Sequence, residues 1–158
     1  SLKSLYDIDP LLADPAGGDF LLRYNSPAID AGTTRTFAKY LLSGYGKEMP
    51  SYDFYGNTRV VDADGDDVVA LDIGVHEFIP NLPDLRAYFQ DLIDSGELDG
   101  VTAARLVAYA DAALAESDRE AVTTILNELI DDVEASLEDT EMAQLIVGKT
   151  MAVIESLD

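Results

Sequence analysis

No proline follows Pro83, and from there to Asp158 the apolar residues recur at helical intervals; before it, short apolar runs alternate with turn residues. Few features constrain a fold more, because proline breaks helices and a sustained period near 3.6 residues builds them. Leu85, Tyr88, Phe89, Leu92 and Ile93 form the stripe of a first amphipathic helix, with Gly96 as its terminator. A second helix runs from about residue 101 to 115, where closely spaced alanines beside Leu106, Val107, Ala110 and Leu114 allow close approach. Ser117-Asp118-Arg119-Glu120 has the pattern of a capping box, opening a third helix along Val122, Ile125, Leu126, Leu129 and Val133. A fourth starts at Thr140-Glu141 and carries Met142, Leu145, Ile146, Val153 and Leu157. Short loops between these segments predict a small bundle of three to four helices over residues 80–158.

Residues 1–79 follow another grammar. The apolar runs at 11–13, 20–22, 59–61 and 68–71 are separated by Asp14-Pro15, Gly17-Gly18, Gly56-Asn57 and Asp64-Gly65. Such punctuation predicts short strands and tight turns. Residues 37–42 fit a helical turn or a strand equally well. The chain as a whole is therefore expected to be α+β, with its boundary near Pro80.

At 158 residues and 47% apolar content, the chain can bury real cores in one ordinary domain or two small ones. Lys and Arg total 10 against 31 Asp and Glu, for a net charge of −21. That surface repels phosphate backbones, which argues against nucleic acid as a partner. It suits metal cations, high salt or a cationic partner, and it also keeps a secreted protein in solution. Without cysteine there is no disulfide, no thiol nucleophile and no thiolate metal site. No apolar run is long enough to span a bilayer. The chain opens on Ser1 with no signal peptide, as a processed product or the tail of a longer polypeptide would.

Several strings in the first half stand in a recognisable order. They are Asp9-Pro10-Leu11-Leu12-Ala13-Asp14-Pro15, Gly18-Asp19-Phe20-Leu21-Leu22, Ser26-Pro27-Ala28-Ile29-Asp30-Ala31-Gly32, Gly56-Asn57-Thr58-Arg59 following Asp53, and Leu71-Asp72-Ile73-Gly74-Val75-His76-Glu77-Phe78. Together they resemble the closing segment of bacterial extracellular right-handed parallel β-helix proteins of the choice-of-anchor Q kind. His76 departs from that pattern, which has Tyr at its position. The resemblance implies that residues 1–79 form the terminal coils and cap of such a β-helix, outside the cell or on its surface. A coil cannot bury its own apolar face, so the implied partners are upstream coils of the same parent protein, or self-association. Residues 85–96, Gly100-Val101-Thr102-Ala103-Ala104-Arg105-Leu106, Asp118-Arg119-Glu120-Ala121-Val122 leading to Leu129, and Met151-Ala152-Val153-Ile154-Glu155-Ser156-Leu157 resemble the FIMAH domain, a helical module appended to bacterial surface proteins.

Asp62, Asp64, Asp66 and Asp67 crowd four carboxylates into one turn, with Asp72 shortly after. A calcium ion with six to eight oxygen ligands would make such a turn rigid; the alternative is a solvated acidic turn. Asp62, Asp64 and Asp66 match the opening ligands of an EF-hand, but Asp67 replaces its Gly and Ile73 its bidentate Glu, which disfavours that loop. His76, the sole histidine, is expected to be packed, since it has no partner with which to build a zinc site. Asp30, Asp53 and Asp72 lie in turn strings where hydrogen bonding to backbone N–H groups is the expected role, in preference to catalysis. Arg23, Arg35 and Arg59 are expected to pair internally with Asp, the alternative partner being a polysaccharide carboxylate. Tyr6, Tyr24, Tyr40, Tyr45, Tyr52 and Tyr55 either pack between coils or present faces for sugar stacking.

No catalytic constellation is visible. The first expectation is a non-catalytic cap and attachment module of a secreted or cell-surface protein, meeting a polysaccharide or a surface protein. The second is an accessory tail of a β-helix polysaccharide lyase or glycoside hydrolase whose active site lies upstream. The third is a carbohydrate-binding module built on the Tyr-rich half.

Overall fold

The computed structural model describes residues 8–32, 51–59, 63, 70–74, 76–138 and 140–157. The described residues divide into two compact units, one before Pro80 and the other from Pro80 onward.

In the second unit, local chemistry starts and stops each helix. Asn81 is extended and its side chain accepts the Asp84 N–H, so α1 (Leu82–Ser95) begins there, with Pro83 in the first turn where its missing donor costs nothing. Gly96 ends α1 in the left-handed region at φ 71°. Asp99 accepts the N–H groups of Val101 and Thr102 and opens α2 (Gly100–Ala115). Asp118 caps α3 (Arg119–Ser136) by accepting from Ala121, so the cap falls one residue later than Ser117. Its charged oxygen suits the positive end of the helix better than a hydroxyl would. The last helix, α4 (Thr140–Ser156), completes the unit.

Each helix packs on the next, and α4 closes back on α1. The shared core holds Phe89, Leu106, Leu126, Leu129, Val133, Ile146 and Val153, all buried. On α4 the inward face differs from the expected stripe. Ala143, Ile146, Thr150 and Val153 point in, while Leu145 is 43% exposed. Thr150 can be buried because its hydroxyl donates to the Ile146 carbonyl at 2.8 Å. No helix of the described residues is long and apolar enough to cross a membrane.

The first unit overturns the expected parallel coils. Its β1 (Leu12–Asp14) and β2 (Asp19–Leu22) form a two-stranded antiparallel sheet, with Leu12 opposite Leu22 and Asp14 opposite Asp19. Among the described residues there is no parallel β-helix coil; an isolated antiparallel bridge, Tyr52 to Thr58, forms a second small hairpin. The reason is chain length. A parallel return needs a crossover of about a dozen residues or more, whereas the four residues between β1 and β2 allow only a hairpin. Asp14 builds that turn: its carbonyl and its Oδ1 both accept the Gly17 N–H, and Gly18 follows at φ 86°. Among the described residues the elements are thus four helices and two short hairpins, joined by loops.

Apolar cover in this unit is thin. Leu22, Ala28, Ala63 and Phe78 form a small core, with Leu12, Tyr24 and Ile29 packed against it. Gly32 shows how closely the loops approach, since its N–H donates to the Leu71 carbonyl at 2.6 Å and a Cβ there would meet that oxygen at 2.4 Å. Only glycine fits.

Candidate functional site

The strings singled out in the sequence meet through their polar side chains. Ser26 donates its hydroxyl to the Pro10 carbonyl at 2.6 Å and accepts the Ala28 N–H at 3.1 Å. Asp30, in the left-handed region at φ 51°, donates its N–H to Asp72 Oδ1 at 2.8 Å. Its own Oδ2 accepts the Ala63 N–H at 2.9 Å. The other Asp72 oxygen accepts from the Phe78 N–H at 2.5 Å. These carboxylates join segments that form no strand pair among the described residues, where the backbone also bonds directly from Ile73 N–H to the Ala28 carbonyl at 2.8 Å and from Gly32 N–H to that of Leu71.

A second centre lies at Asp53. One of its oxygens accepts the N–H groups of Tyr55 and Asn57, each at 2.8 Å. The other accepts the Asn57 side-chain amide at 3.0 Å and the Glu77 N–H at 2.9 Å. Glu77 is fully buried and faces Arg59 at 3.6 Å, and the Arg59 guanidinium also donates to the Gly74 carbonyl at 2.9 Å. His76 is buried beside them, its Nδ1 accepting the Leu22 N–H at 3.3 Å while its ring meets Tyr55 edge-on.

These environments set opposite protonation behaviour. Burial pushes Asp72 up to about 6 against its two N–H donors, with the Glu77 charge adding to the rise and Arg59 opposing it. Burial would raise Asp53 too, but the donors from Glu77, Asn57 and Tyr55 outweigh it and hold the group down at about 2. Burial also lowers His76, against the Asp53 and Asp19 charges, which favours the neutral ring that its accepting Nδ1 requires.

The two carboxyl groups therefore act on stability in opposite directions as the pH changes. Asp53 contributes stability that is complete above its ordinary 3.8 and lost as the pH falls towards 2. Asp72 binds its proton more tightly when folded, so its penalty is absent below 3.8, grows as the pH rises, and is complete above about 6. The Asp72 penalty is on the order of 3 kcal/mol. The tyrosine near-ultraviolet transition, which all tyrosines but Tyr88 and Tyr109 report from this half, is expected at higher temperature near pH 5 than at pH 7 (about 5 and about 7, either side of the Asp72 midpoint). Asp72→Asn should flatten that rise. An unchanged rise in the variant would assign it to general relief of charge repulsion.

The proposed calcium ligands are only partly placed. Asp62, Asp64, Asp66 and Asp67 lie outside the described residues, and Asp72 has a backbone donor on each oxygen. Among the described residues, no three His, Cys, Asp or Glu side chains converge as a metal site. Arg23 donates to the Ala13 carbonyl at 3.0 Å. Arg35, Tyr6, Tyr40 and Tyr45 lie outside the described residues; Tyr24 is half-buried on the small core, and Tyr52 and Tyr55 are exposed.

Sequence reasoning passed over Phe54 and the tie formed by Glu77. Phe54 is 80% exposed, its ring 5.3 Å from that of Tyr55 and nearly perpendicular to it. Its signal was its place between two tyrosines in a turn. No protein-family model, curated protein or solved structure matches the chain.

Proposed function

We propose that the chain is a non-catalytic interaction module of a protein displayed outside the cell. The observation that carries this reading is how the acid–base groups of the first unit are used. Asp53, Asp72 and His76 accept backbone N–H groups, and Glu77 faces Arg59. A general acid or base must exchange its proton with a substrate, and groups committed to holding loops together are poorly placed to do so. What reaches solvent is an acidic surface and a few aromatic rings. The order of the strings in the first half, which resembles that of extracellular bacterial proteins, supports the address.

The test is an assay of the intact chain on neutral and acidic polysaccharides for newly formed reducing ends and unsaturated products. Neither should form. Turnover that Asp30→Asn or Asp72→Asn abolishes, with the circular dichroism spectrum retained, would contradict the reading.

A further inference from the structure

We propose that the hairpin turn from Tyr52 to Asn57 is a binding platform for an uncharged polysaccharide, with the Phe54 and Tyr55 rings stacking on sugar faces. This deepens the interaction-module reading and rests on it. Tyr52, Phe54 and Tyr55 are 61%, 80% and 48% exposed, an unusual concentration of aromatic surface in one short turn. Phe54 and Tyr55 touch edge to face, and Tyr55 in turn leans on His76, so the rings form one braced group.

The turn beneath them is rigid before any ligand arrives. Asp53 gathers three donors from within the turn and a fourth from Glu77. The Asp53 N–H also donates to the Asn57 carbonyl at 2.8 Å, and the Arg59 N–H to the Ser51 carbonyl at 3.0 Å. A rigid aromatic surface binds with little loss of conformational entropy, which is what weak stacking contacts need.

Charge selects the kind of ligand. Arg59, the one cation of residues 51–59, is turned inward onto Glu77 and the Gly74 carbonyl. Nothing in the turn can therefore pair with a uronic acid or a sulfate. A net charge of −21 repels polyanions, anionic lipid surfaces and a second copy of the chain alike. A neutral glycan meets none of these penalties, and phenol tips on Tyr52 and Tyr55 can bond its hydroxyls.

The experiment is native affinity electrophoresis of the intact chain in gels containing hydroxyethylcellulose, soluble starch, galactomannan or glycol chitin, with alginate as the charged control. At least one neutral polymer should retard it, and alginate should not. Phe54→Ala should weaken the retardation about tenfold and Phe54→Trp should preserve it, since an aromatic face is what stacks. Phe54 is exposed enough that neither change disturbs the fold, which circular dichroism checks. Three results would overturn the platform: no retardation by any neutral polymer, retardation indifferent to Phe54→Ala, or retardation by alginate alone. Self-association on size exclusion that Phe54→Ala removes, without glycan retardation, would assign the rings to a second copy and overturn it too. Each of these leaves the module reading standing; only turnover by the chain contradicts that.

Discussion

Leu129→Asp is expected to abolish the cooperative melting of the helical unit. Leu129 is fully buried among Phe89, Leu106, Leu126, Val133 and Ile146, with no basic residue in that core. The carboxylate must either lose its hydration there or force the helices apart, at a cost on the order of 5 kcal/mol or more. That is comparable with the whole stability of a small domain. Leu129→Ala removes only volume and should cost about 2–5 kcal/mol, leaving a transition at lower temperature. The helical far-ultraviolet signal of the two variants distinguishes these outcomes. A sharp, little-shifted transition in Leu129→Asp would show that α3 does not face a closed core.

The second large effect belongs to the other unit. Arg59→Met keeps much of the aliphatic stem but removes the guanidinium that faces the buried Glu77 at 3.6 Å. Breaking one side of a buried pair costs about 3–5 kcal/mol. The tyrosine transition should fall sharply, and the helical transition should hold. Arg59→Met with Glu77→Gln should recover part of the loss, since both members of the facing pair are then neutral. A double variant no better than the single one would mean that the Gly74 contact, and not the charge, is what matters.

The helical unit was largely legible in the sequence because its signals are local. Gly96 acts within a few residues of itself, and the apolar period of α3 picks out Val122, Leu126, Leu129 and Val133, all buried, with Ile125 partly buried beside them. The misreading of α4 has the same origin. A period count favours large residues, yet Ala143 and Thr150 fill the inward positions and Leu145 is left outside. Small residues carry little hydropathy signal even where packing selects them.

In the first unit the turns were legible and their partners were not. Asp14-Pro15 with Gly17-Gly18 reads equally well as the corner of a coil or the turn of a hairpin, and only pairing decides between them. Asp30 and Asp72 lie 42 residues apart in sequence, and Asp53 and Glu77 24 apart. No local pattern couples such positions. That Asp30, Asp53 and Asp72 would accept backbone N–H groups followed from turn chemistry; that they would cross-link separate loops in place of a sheet did not. Phe54 escaped notice because exposure is a property of the folded turn.

Carboxylate-to-backbone ties, not parallel coils, join the described loops of the first unit. Amide hydrogen exchange of the intact chain, resolved by residue, tests it most directly. In the wild type the amides of Asp30, Phe78 and Glu77 should be protected, the first two by Asp72 and the third by Asp53. Asp72→Ala should expose Asp30 and Phe78 while the α3 amides keep their protection. Protection running at regular intervals through residues 1–79 and indifferent to Asp72→Ala would contradict the account and restore a ladder of strands.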